Sequence, residues 1–162
     1  MSLDRNKVAF ITCVNDEDMY SECLLYLQSL NIPGEMTVDY VPVRNASSMC
    51  AGYNEGVRAT NAQYKVYLHQ DVLVVNKNLI ADLLSIFADE TVGLIGMIGC
   101  RSLPRSGVWW DGLRCYGRVL HACEAESIVD TRMKEPDGES IDVEAADGLF
   151  LATQYDVPWR ED

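Results

Sequence analysis

Lys7–Val14, KVAFITCV, is the stretch from which the fold follows. Its apolar and β-branched residues continue through both alternating faces, the pattern of a strand covered by helices on both sides. The run ends at Asn15-Asp16, where Asn15 can cap a helix with Asp18 at its third position. Met19, Cys23, Leu27 and Leu30 then recur at spacings of four, four and three, which predicts a helix whose apolar stripe packs on the sheet. Asn31-Ile32-Pro33-Gly34 stops that helix, and Thr37–Val43 (TVDYVPV) predicts a second strand, with Pro42 placing it at an edge or a strand end.

The same alternation continues outward. Ser47 or Ser48 can cap a helix running to about Thr60, in which Ala51, Gly52, Gly56 and Ala59 leave one side nearly bare, so that something must approach its backbone closely. Tyr64–Leu68 (YKVYL) predicts a third strand ending in His69-Gln70-Asp71, Leu79–Phe87 a third amphipathic helix, and Val92–Gly99 (VGLIGMIG) a fourth buried strand. Strands and helices in this order make an α/β fold with a mainly parallel central sheet flanked by helices, whose ligands bind beyond the carboxyl ends of the strands. From Arg101 the periodicity is lost in a loop rich in Gly, Pro and Trp, and Val143–Thr153 is an apolar run interrupted by Asp147-Gly148. Residues 1–162 read as a single domain, with residues 1–6 set aside as a tag or disordered start.

Composition narrows the chemistry. Apolar residues make up 48% and charged residues 23% of 162, the balance of a soluble globular chain. Thirteen Lys and Arg against twenty-five Asp and Glu give a net charge of −12, which argues against binding nucleic acid or an anionic membrane surface. An anionic ligand would then need a divalent cation or backbone N–H groups at a helix start. The longest apolar run, Val92–Cys100, is nine residues, half the roughly 18 that suggest a membrane span. Six cysteines without a C-x-x-C pair, and no secretory signal, point to free thiols in a reducing cytoplasm.

Several residues at the strand ends carry chemistry, each with a plainer reading beside it. Asp71, directly after a strand, can coordinate a hard divalent ion or merely cap a turn. His69 can be a second ligand, a donor to phosphate, or a satisfied structural side chain. Asn15 and Asp16 can hydrogen-bond a base or ribose, and capping explains them equally well. Ser47 and Ser48 offer helix-start N–H groups to a phosphate, with Arg44 as an electrostatic partner. Trp109 and Trp110 match the C–H faces of a sugar ring while Asp111 binds hydroxyls, or else the indoles pin a loop to the core. Trp159-Arg160-Glu161-Asp162 puts two carboxylates at the chain's end.

Taken in order, FITCVND, SSMCAGYNEGV, YKVYLHQDV, LIGMIGCRSLPRSGVWWDG and DGLFLATQYDVPWRED resemble the glycosyltransferase-like family related to family-two inverting glycosyltransferases, which have the GT-A fold. The resemblance implies transfer from a nucleotide-diphosphate sugar to a saccharide acceptor in surface polysaccharide assembly. It places Asp71 at the acid of the DXD-like motif, where Mg²⁺ or Mn²⁺ bridges enzyme and diphosphate. It puts Asn15 and Asp16 at the nucleotide end, Asn54 in the helix before the metal motif, and Trp110 and Asp147 near the donor sugar or acceptor. In an inverting transfer a carboxylate general base takes the acceptor's proton, and Asp147, Glu161 and Asp162 are the candidates. The sequence departs from the family in having VPVRNASS where an Asp pair usually follows the second strand, HQD in place of Asp-x-Asp, and no helix after Asp162 to bear the base. The alternatives to an active transferase are a noncatalytic nucleotide-sugar or carbohydrate-binding module, and a truncated fragment that pairs as a homodimer.

Overall fold

The computed structural model describes residues 2–123, 127–138 and 140–161. Along the chain run β1 (Asp4–Val14), α1 (Glu17–Gln28), β2 (Thr37–Arg44), α2 (Met49–Ala59), β3 (Ala62–Leu68), α3 (Leu79–Ile86) and β4 (Leu94–Gly96). They are followed by β5 (Gly99–Cys100), β6 (Cys115–Tyr116), β7 (Arg118–Cys123), β8 (Ser127–Arg132), β9 (Ala145–Ala146) and β10 (Phe150–Thr153). These elements form two compact units, one of residues 1–95 and 148–162, the other of residues 96–147. No helix among the described residues is long and apolar enough to cross a membrane.

The first unit is built on a five-stranded sheet in the order β2-β1-β3-β10-β4, with β1 parallel to both β2 and β3. Val8, Ala9, Phe10 and Ile11 are all at most 1% exposed, as a doubly covered central strand requires. On one face Val8, Phe10, Val66, Leu68, Phe150 and Ala152 pack with Cys23, Leu27 and Leu30 and with Leu79, Ile80, Leu83 and Phe87 around α3. On the other face α2 lies so close that a Cβ at Gly56 would collide with Ile11 and one at Gly52 with Cys13. The bare side of that helix therefore serves close packing against its own β1. Pro42 stands in β2, the edge strand, where its missing N–H disrupts no interior ladder.

Three expectations are corrected here. Residues 4–6 belong to β1, Asp4 pairing with Ala62 of β3. The buried stripe of α1 is Tyr20, Cys23 and Leu27, spaced three and four apart on one face that leaves Met19 50% exposed, and Asp16 rather than Asn15 caps the helix. Val92–Gly99 is not a long buried strand: only Leu94–Gly96 joins the five-stranded sheet, at its edge, with Leu94 43% exposed, and Gly99 instead begins β5. The reason is β10, which inserts beside β3, antiparallel to it, and takes the interior place. Apart from these, Lys65 on β3 is fully buried, its ammonium 2.5 Å from Asp156 and from the Ala62 carbonyl; a buried cation is tolerated because both partners are there.

The second unit has shorter elements. β6, β5 and β9 form a small sheet, with β5 antiparallel to both neighbours. A Cβ at Gly99 would collide with the Ala145 carbonyl, so the close β5–β9 approach requires glycine there. β7 and β8 form a separate hairpin clasped by Arg118, which donates two 2.8 Å bonds to Asp130.

Candidate functional site

A cavity of about 540 Å³ opens at the carboxyl ends of β1 and β3, lined by residues from both strand ends, the β2–α2 loop and α2. This is the edge at which an open parallel sheet binds its ligands. Two strand ends are tied there by one side chain. Gln70 Oε1 accepts from the Asn15 and Asp16 amides at 2.9 and 3.0 Å, and Gln70 Nε2 donates to Asn15 Oδ1 at 2.5 Å. Asn15, Gln70 and Asp71 all line the cavity. Gln70, which sequence pattern marks only as polar, is thus the brace of the site; its partner lies 55 residues away, and no local spacing could have signalled it.

The helix ends have local tasks. Asp16 Oδ1 accepts from the Asp18 and Met19 amides, both at 3.0 Å, and caps α1. Ser48 lines the cavity and caps α2, its Oγ accepting from the Ala51 amide at 3.1 Å. Asn45, also on the lining, takes the left-handed conformation at φ 58°, which asparagine tolerates better than most residues. Arg44 is turned to another use than phosphate. Its guanidinium forks onto Glu17 at 2.6 and 2.9 Å, and that hydrogen bond holds the Glu17 carboxyl below the usual carboxylate range.

Asp71 is exposed on the cavity wall, and no hydrogen bond or ion pair engages its carboxylate among the described residues. His69 stands beside it with Nε2 buried and without a partner. No group of three or more His, Cys, Asp or Glu side chains able to hold a metal occurs among the described residues. A single carboxylate beside an unpartnered imidazole nitrogen does not make a dedicated protein cage. It does fit a hard cation of the Mg²⁺ class, which keeps several waters and is held by one or two carboxylates together with substrate phosphates. The rest of the lining is neutral: burial, then Glu55 and Cys50, push the Cys13 thiol's pKa up, so it stays protonated.

Other expected residues are occupied elsewhere in the first unit. Asn54 Nδ2 donates to the Trp159 carbonyl at 2.8 Å and to Glu161 Oε1 at 2.7 Å, and its Oδ1 accepts from the Trp159 amide at 2.9 Å. It is therefore a clamp on the C-terminal segment and is absent from the cavity lining. Trp159 packs on Tyr53 and Tyr67 with ring centroids 5.3 and 4.8 Å apart. Asp162 lies outside the described residues.

In the second unit, Trp109 donates from Nε1 to Asp147 Oδ2 at 2.7 Å. Trp110 meets Trp109 edge-on at 5.7 Å and is 65% exposed, and Ser106 donates to Asp111 at 3.2 Å. One indole thus anchors its loop and the other faces solvent.

The glycosyltransferase-like family profile matches residues 9–162. No curated protein matches this chain. Among solved structures, a mannosyltransferase from Pyrobaculum calidifontis, in complex with GDP-Man and Mn²⁺, is similar at 17% identity and a TM-score of 0.50. The match covers 64% of this chain and 38% of the mannosyltransferase, and at that identity it shows a shared fold of the GT-A type.

Proposed function

This chain belongs to the glycosyltransferase-like family, and we propose that it is the donor-binding part of a glycosyltransferase using a nucleotide-diphosphate sugar and a divalent cation. The observation that carries the reading is the cavity at the carboxyl ends of β1 and β3, with the unengaged carboxylate of Asp71 on its wall. The mannosyltransferase of similar fold, held with GDP-Man and Mn²⁺, supports the same ligand class. Asp71 would hold the cation and His69 Nε2 would add a second donor. When bound, the cation supplies charge neutralisation for the diphosphate leaving group, which a protein of net charge −12 otherwise repels. Asn15 and Gln70 fix the strand ends around the nucleotide, and the α2 start contributes its N–H groups.

The transfer is inverting. The acceptor hydroxyl oxygen bonds to the anomeric carbon as the bond from that carbon to the diphosphate breaks, and a carboxylate takes the hydroxyl proton. Asp147, Glu161 and Asp162 are the candidate bases, and the exposed face of Trp110 suits a saccharide acceptor of the kind joined in surface polysaccharides. Five thiols free of disulfides suit a reducing cytoplasm.

The test is release of nucleoside diphosphate from UDP-, GDP-, CDP- and dTDP-sugars with Mn²⁺, by the wild type and by Asp71→Ala. Turnover lost in the variant supports the proposal; equal turnover in both removes Asp71 from the mechanism. A noncatalytic binding module is the second reading. It is favoured by the commitments of Asp147 to Trp109 and of Glu161 to Asn54, which leave both carboxylates already hydrogen-bonded. Turnover above a protein-free blank excludes it.

A further inference from the structure

Six buried side-chain polar atoms among the described residues have no hydrogen-bond partner: Thr12 Oγ1, Tyr53 Oη, Tyr67 Oη, His69 Nε2, Thr153 Oγ1 and Trp159 Nε1. Only Tyr53 and His69 among them line the cavity. Tyr67 lies close to Thr153 and Trp159, so those three form a separate internal cluster. His69 belongs with Asp71, as above. Tyr53 is left over, and its place is unusual. It is 2% exposed, its ring packs on Tyr67 at 5.1 Å and Trp159 at 5.3 Å, and its hydroxyl has no partner although the residue lines an open cavity.

A buried hydroxyl without a partner is a standing cost to the fold, and one at the floor of a cavity is an offer to whatever fills it. Two aromatic neighbours pack on the ring and favour its present orientation. Val14, Val43 and Leu68 make part of the same lining apolar, so this donor suits the uncharged part of a nucleotide rather than its phosphates. We infer that Tyr53 is a nucleobase-binding residue, whose hydroxyl donates to a ring or carbonyl heteroatom of the base when a nucleoside diphosphate fills the cavity. Burial, and then the neighbouring Cys13, Cys50 and Tyr67, push the phenol's pKa up, so the proton to be donated is present throughout the neutral range. The inference rests on the donor-binding reading and deepens it.

Tyr53→Phe tests this by calorimetry with UDP, GDP, CDP and dTDP in Mn²⁺, with inorganic pyrophosphate as the ligand lacking a base. The expected result is an affinity about 3- to 10-fold lower for the best nucleotide, the usual range for one neutral hydrogen bond. Pyrophosphate affinity stays unchanged. The ligand-free melting temperature stays level or rises, because the removed hydroxyl had no partner; a hydroxyl serving only the fold would lower it. Equal nucleotide affinity in wild type and variant, equal losses for nucleotide and pyrophosphate, or a melting temperature several degrees lower would each overturn the inference while leaving the donor site standing. Failure of the wild type to bind any of the four nucleotides would instead remove the donor-binding reading, and this inference with it.

Discussion

Asp71 and Asp147 are both acids that follow or interrupt a strand, yet their surroundings differ in kind. Asp71 stands on an open cavity wall in the first unit with no hydrogen-bond partner among the described residues. Asp147, in the second unit, is held by the Trp109 indole at 2.7 Å. The frameworks differ too: the strands around Asp71 include β1 and β3, whose central residues are wholly buried, whereas β5, β6 and β9 have two residues each. A carboxylate held ready on a rigid edge can meet a cation, while a carboxylate already hydrogen-bonded to an indole first serves its own loop.

That contrast can be attacked from several sides. Phe10→Ala, at 1% exposure in the core of the first unit, is expected to cost about 3–5 kcal/mol in urea unfolding, against a change within about 0.5 kcal/mol for Trp110→Ala at 65% exposure. Equal losses would mean that the Trp loop is as much a part of the framework as β1. Next, a nucleotide at 100 times its dissociation constant adds about 2.7 kcal/mol, roughly 5–10 °C in melting temperature at this length. Asp71→Ala should abolish the Mn²⁺-dependent part of that shift and Asp147→Asn should keep it. The reverse pattern would exchange the roles of the two acids.

Gln70→Ala should cost about 1 kcal/mol in stability and weaken nucleotide binding several-fold, since it unties Asn15 and Asp16 from the β3 end. Unchanged binding would show that the brace does not shape the site. The smallest effect concerns pH. The Glu17 carboxyl has a folded pKa below its ordinary value of 4.5, so its contribution is present above that value and is lost as pH falls through the lowered one. The pair with Arg44 is exposed, so Glu17→Gln should lower stability only slightly at pH 7, and the difference from wild type should vanish as pH falls through the acid limb. A large loss at pH 7 would mean that the pair organises the loop beside the cavity.

The first unit was legible in the sequence because its elements follow regular periods. KVAFITCV, TVDYVPV, YKVYL and Leu79–Phe87 fall within or close to the observed elements, and HQD lies at the cavity as expected of residues just past a strand. What escaped is non-local. β10 displaces β4 to the edge through pairing across more than 80 residues of chain, and Lys65 is buried because Asp156, far along the chain, reaches it. Asn54 and Arg44 have the right chemistry for a donor site, but their hydrogen-bonding capacity is committed to Trp159 with Glu161 and to Glu17. Tyr53 was missed because a tyrosine on a helix gives no hint in sequence that its hydroxyl will lack a partner.

The most direct measurement is a thermal shift of the wild-type chain with UDP, GDP, CDP and dTDP, each with Mn²⁺ and again with chelator. A donor site built around Asp71 predicts a shift of roughly 5–10 °C with at least one nucleotide near saturation, lost on chelation. No shift with any of the four, or a shift indifferent to chelator, would contradict it.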